Sequence, residues 1–131
     1  MPEYQPGECN IGEAEQRRRY ALGLLASVAT LVLITWVLTN DGPMGLLALA
    51  SIPLFGAAEG FFQGRYEFCT GFASLGVYDV SDEGHDRREV RAEADRKADK
   101  RRAWRIHAYS ASVAVVGTVL LYVVAGLVYI D

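Results

Sequence analysis

The sequence predicts an all-α membrane protein of three transmembrane helices, with the N-terminus in and the C-terminus out. Three observations carry this. Three long stretches of the 131-residue chain are apolar and almost free of charge: residues 20–39, 43–62 and 106–130. Each comes close to the roughly 17–25 residues that cross about 30 Å of hydrocarbon. All thirteen Lys and Arg residues lie in residues 1–19 and 63–105, and none lies in the short loop 40–42 or at Asp131. Positive residues are retained on the cytoplasmic side. A soluble bundle with buried helices is the lesser reading, because three such stretches leave too little polar face in so short a chain. The expected organisation is a single membrane domain over 1–131, multi-pass in the cell membrane. No cleavable signal peptide is evident, since the first nineteen residues are polar.

The same segregation limits the partners. Thirteen acidic residues share the basic face, so that face is formally neutral. A neutral, mixed-charge surface argues against nucleic acid and against a strong polybasic lipid clamp. The net charge of −3 comes from Asp41, Asp131 and Glu59.

In chain order, Asn10 is expected to cap the first helix, with Glu13 three residues later completing a box-like signal. Glu13 with Arg17 and Glu15 with Arg19 have the favoured i,i+4 polarity. The helix is therefore expected to begin two turns before the membrane. Asn40-Asp41-Gly42-Pro43 reads as a tight turn, with Pro43 opening the second helix. Pro53 is expected to kink that helix or weaken its ladder. Residues 71–82 read as a turn or short interfacial segment. Residues 83–105 read as a charged, solvated helix that continues into the third span as one long helix.

Gly56, Gly60 and Gly64 recur at spacing four on the second span. Between helices in lipid, close backbone approach carries the association, and glycines allow it. The expected occupant of this groove is another span of the chain or a second subunit. Glu59, Gln63 and His107 are the polar residues expected within or at the edge of the membrane. An ionised carboxylate there is costly, so Glu59 is expected to find Gln63, His107 or a cation of the charged segment. Cys9 and Cys69 fall at similar heights on neighbouring elements. They read as structural thiols, a redox pair, or a metal site completed by His85 or His107. There is no CxxC and no HExxH, and no cofactor or metal is assigned.

The segments CNIGEAEQRRR (9–19) and FFQGRYEFCTGFASLGVYDV (61–80) together resemble an uncharacterised family of small prokaryotic membrane proteins. The matching residues are Cys9, Asn10, Gly12, Glu15, Phe61, Gln63, Arg65, Phe68, Cys69, Phe72, Gly76 and Val77. The resemblance implies membrane residence and a paired-cysteine face, with no activity attached. Eleven Arg against two Lys, in an acidic chain, is similar to halophilic archaeal proteins in composition.

The expected function is that of a non-enzymatic accessory or assembly component, resident in the lipid bilayer and packing with another membrane protein or with itself. Two alternatives stand beside it. One is a thiol-redox or metal protein using Cys9 and Cys69. The other is a small oligomeric transporter with Glu59 as its coupling carboxylate.

Overall fold

The structure is a computed structural model and describes residues 3–129. Residue 130, at the end of the expected third span, and Asp131 lie outside the described residues. The elements run α1 (Glu13–Thr39), a 3-10 helix (Met44–Ala50), α2 (Ser51–Arg65), α3 (Thr70–Leu75), β1 (Val77–Tyr78), β2 (Arg88–Glu89) and α4 (Glu93–Tyr129). Three of the helical stretches, Glu13–Thr39, Met44–Arg65 and Glu93–Val128, are long and apolar enough to cross a membrane.

Helix α1 starts at Glu13 with Gly12 as its N-cap, and no side chain caps it. This corrects the expectation for Asn10, whose side chain is used elsewhere. Glu13 and Glu15 occupy the first turn, where the helix dipole favours negative charge. Further along, Ser27, Thr30 and Thr39 donate to the carbonyls four residues back, at 2.8, 2.9 and 2.7 Å. These bonds internalise hydroxyls on an otherwise apolar helix. The helix ends where Asp41 takes a left-handed conformation (φ 49°). Gly42 N–H then donates back to Val37 O at 2.9 Å.

The second apolar stretch is not one continuous α-helix. It begins as a 3-10 helix with Pro43 as its N-cap, and α-helix starts only at Ser51. Pro53 therefore sits in the first turn of α2 rather than kinking its middle. There its missing N–H removes no ladder bond, whereas a helix continuous from residue 44 would need one from residue 53 to Leu49.

The chain is mostly helical, 72%, with one small strand pair that the all-α expectation does not include. β1 and β2 form a two-stranded antiparallel ladder, pairing Val77 with Glu89 and Tyr78 with Arg88. Ile11 adds a parallel bridge to Asp79. The charged helix starts at Glu93, not near 83, because residues 88–90 are committed to this ladder; Val90 N–H donates to Gly76 O at 2.8 Å. From Glu93 the helix runs unbroken to Tyr129 over 37 residues. That is about 55 Å at 1.5 Å per residue.

Three small clusters hold these elements together. Phe68, Ala73, Ala103 and Ile106 join α3 to α4. Ile11, Cys69 and Phe72 tie the N-terminal segment to α3. Val37, Leu47 and Ala125 close the opposite end of the bundle. Outside them, large apolar side chains of α1 and α4 are exposed, among them Leu24, Leu25, Leu31, Leu120, Leu127 and Val128.

Candidate functional site

The glycine stripe of α2 lies against α1. A Cβ on Gly60 would stand 2.5 Å from both Cα and N of Gly23 and 2.6 Å from Arg19 O. On Gly64 it would meet the Tyr20 ring at 2.8 Å, and on Gly56 the Ala26 Cβ at 3.4 Å. The closest approach is thus Gly60 against Gly23, backbone to backbone.

An adjacent face of α2, turned to α4, carries a polar cluster. Glu59 Oε1 lies 2.6 Å from His107 Nδ1 of α4. Its Oε2 accepts from Gln63 Nε2 at 2.6 Å and from the Thr70 hydroxyl at 3.4 Å. Gln63 Oε1 in turn accepts from Thr70 N–H at 3.4 Å. The cluster therefore joins α2, α3 and α4. Glu59, Gln63 and Thr70 are buried, while His107 is half-buried. These hydrogen bonds satisfy both carboxylate oxygens, which offsets part of the cost of burying the group. Thr70 was not singled out from sequence, where nothing marks the residue after Cys69 as a partner of Glu59.

The two thiols have separate surroundings. The Cys9 thiol donates to Ile11 O at 3.5 Å and to Glu67 Oε2 at 3.7 Å. Cys69 is the N-cap of α3, and its sulfur accepts from Phe72 N–H at 3.4 Å. Both are free and buried. Burial, then the Glu67 charge, pushes the Cys9 thiol up to about 11. Burial likewise raises Cys69. His107 is engaged with Glu59, and His85 lines an open cleft with Tyr78, Asp86 and Arg88. Among the described residues, no group of three or more His, Cys, Asp or Glu side chains is placed to hold a metal ion.

Between the thiols stands Asn10, which is fully buried. Its Oδ1 accepts from Cys69 N–H at 2.6 Å, and its Nδ2 donates to Cys69 O at 3.0 Å. Its backbone is held by Glu67 O at 3.1 Å and by Asp79 N–H at 2.9 Å. Gly12 passes so close to the chain at 80–81 that a Cβ would lie 2.5 Å from Ser81 O. Asp79 is itself buried and accepts from the Ser81 hydroxyl at 2.5 Å and from the N–H groups of Ser81 and Asp86 at 3.1 Å each. Burial alone would raise its carboxyl, but these bonds and the Arg87 charge outweigh it and hold the group below the usual carboxylate range.

Two further carboxylates tie the polar end together. Glu15 pairs with Arg18 and, at 3.0 Å, with Arg19. Asp99 of α4 accepts from Tyr4 Oη and Gly7 N–H, both at 2.7 Å, which binds the N-terminal segment to α4. The residues of both sequence segments build a cap on the helices. No protein-family model, curated protein or solved structure matches the chain.

Proposed function

We propose that this chain is a non-enzymatic, multi-pass membrane protein that acts as an accessory component, packing through α4 against another membrane protein or a second copy of itself. The observation that carries the reading is the outer face of α4. Val113, Val116 and Leu120 are exposed and, with Ser112 and Gly117, line a shallow apolar groove, closed by Leu54 of α2 only at Gly117. In a membrane, small residues along such a groove allow another helix to approach closely. The glycine stripe of α2, by contrast, is occupied by α1 and is not free for a partner.

The proposed orientation has residues 1–19 and 63–105 in the cytoplasm and the 40–42 loop outside. The placement of every Lys and Arg supports it. The capped end of the bundle is then the cytoplasmic end. In a background lacking Cys9 and Cys69, a membrane-impermeant maleimide applied to intact cells is expected to label Asp41→Cys and to spare Glu83→Cys. The reverse pattern overturns the orientation.

Raised, buried thiols are poor nucleophiles and poor metal ligands, so the redox and metal readings are less well supported. Glu59 is bound by three side chains, which suits a structural link more than an open transport path. The accessory reading is tested by a photo-crosslinking amino acid at Val116 in native membranes. A discrete adduct, at the mass of a dimer or of one heterologous partner, is expected. Adducts to lipid alone refute it.

A further inference from the structure

A small cavity, about 200 Å³, lies beside the polar cluster and is lined by Ser74, Lys100, Ala103, Trp104 and His107. Lys100, Trp104 and His107 recur at spacings of four and three, so they share one face of α4. Ala103 is buried, and its small side chain leaves room between α4 and the end of α3. No carboxylate lines the cavity. Lys100 makes no ion pair among the described residues, unlike Lys97 one turn earlier, which is 3.3 Å from Glu93. His107 is committed through Nδ1 to Glu59 and walls the cavity on the side of the polar cluster. Ser74 already donates to Thr70 O at 3.1 Å and shapes the rim.

The surroundings say what kind of molecule brings the anion. Trp104 is 73% exposed, and Leu75, at the end of α3, is 72% exposed. Ala108, Ala111 and Val115 continue the Trp104 face of α4, all exposed and uncharged. A tryptophan beside a lysine at the start of an apolar run is the arrangement found at a membrane–water interface. The cavity thus opens where cationic groups give way to a strip fit for an acyl chain.

We propose that this cavity seats the phosphate of an anionic phospholipid headgroup, with Lys100 contacting its oxygens and Trp104 packing on the glycerol and upper acyl chain. A zwitterionic lipid brings the same phosphate with its own ammonium. Lys100, with Arg101 and Arg105 nearby in sequence, disfavours that second cation. The inference rests on the membrane reading given under Proposed function, and the experiment separates the two.

The full chain, carrying Trp36→Phe so that Trp104 is its one tryptophan, is reconstituted into phosphatidylcholine vesicles and floated on a density gradient. Failure to float refutes the membrane reading itself. In floated vesicles, Trp104 fluorescence is read with a minor fraction of brominated phosphatidylglycerol or, separately, brominated phosphatidylcholine. The anionic lipid is expected to associate about fivefold more strongly, the preference that one interfacial lysine confers. Lys100→Gln removes most of that preference, whereas Lys97→Gln keeps it. Equal quenching by the two lipids overturns the proposal, as does equal loss in the Lys97 and Lys100 variants. Abolition of the preference by inorganic phosphate in the aqueous phase reassigns the cavity to a free anion and overturns the lipid assignment.

Discussion

Replacing Gly60 with alanine tests the tightest contact in the bundle. The added Cβ would lie 2.5 Å from Cα and N of Gly23 and 2.6 Å from Arg19 O. Carbon contacts settle at about 3.5–4.0 Å, so α1 and α2 must separate locally by about 1 Å. All three obstructing atoms are backbone, so no side-chain rotation relieves the clash. Overpacking of this kind costs about 1–3 kcal/mol. Alanine returns up to about 1 kcal/mol through its better helix propensity. The expected net effect is a destabilisation of about 1–2 kcal/mol. Gly56→Ala is the internal control, since its Cβ would meet only the Ala26 Cβ at 3.4 Å, an ordinary contact. It keeps the propensity gain without the clash and is expected to be neutral or stabilising by up to about 1 kcal/mol. Gly64→Ala falls between them, because the Tyr20 ring at 2.8 Å is a side chain that can swing. Helicity followed by circular dichroism during denaturation in mild detergent gives the order directly. If Gly60→Ala and Gly56→Ala unfold at the same midpoint, the Gly23–Gly60 approach does not exist as described.

Three further outcomes are expected. Asn10→Ala removes both bonds to the Cys69 peptide and leaves buried groups unpaired, which costs about 2–4 kcal/mol; an unfolding midpoint like that of the parent chain refutes the clamp. For Cys9, with its thiol pushed up to about 11, about one molecule in a thousand is thiolate at pH 8. Alkylation of the folded chain by iodoacetamide should therefore be at least about 100-fold slower than after unfolding in dodecyl sulfate, and equal rates contradict the burial of both thiols. The carboxyl of Asp79 is lower in the folded than in the unfolded state, so its contribution is present above the unfolded carboxylate pKa, about 3.9, and is lost as pH falls through the lower folded value. Asp79→Asn should thus be less stable by about 1–3 kcal/mol at pH 7, with a gap that narrows in acid; a gap that widens in acid reverses the assigned sign.

The local patterns of the chain were sufficient for its long apolar helices, because an uncharged run of some twenty residues constrains itself without reference to the rest of the molecule. The unbroken passage of the charged segment into the last helix was legible for the same reason, since no breaker interrupts residues 93–106. Elements made by pairing distant residues were not legible. The β1–β2 ladder, two residues per strand, has no periodicity to read, and its formation moved the start of the charged helix to Glu93. Asn10 carried a helix-capping signal, yet its side chain is held by a peptide fifty-nine residues away, and Gly12 caps the helix instead. Spacing revealed a glycine stripe, but only packing decided that Gly23 fills it. Glu59 announced that it needed partners, and three-dimensional proximity chose His107 and Thr70 beside Gln63. A helix or a charge bias is a property of neighbours in sequence; a clamp, a groove's occupant or a buried carboxylate's partner is set by which distant surfaces meet, and only the folded chain holds that information.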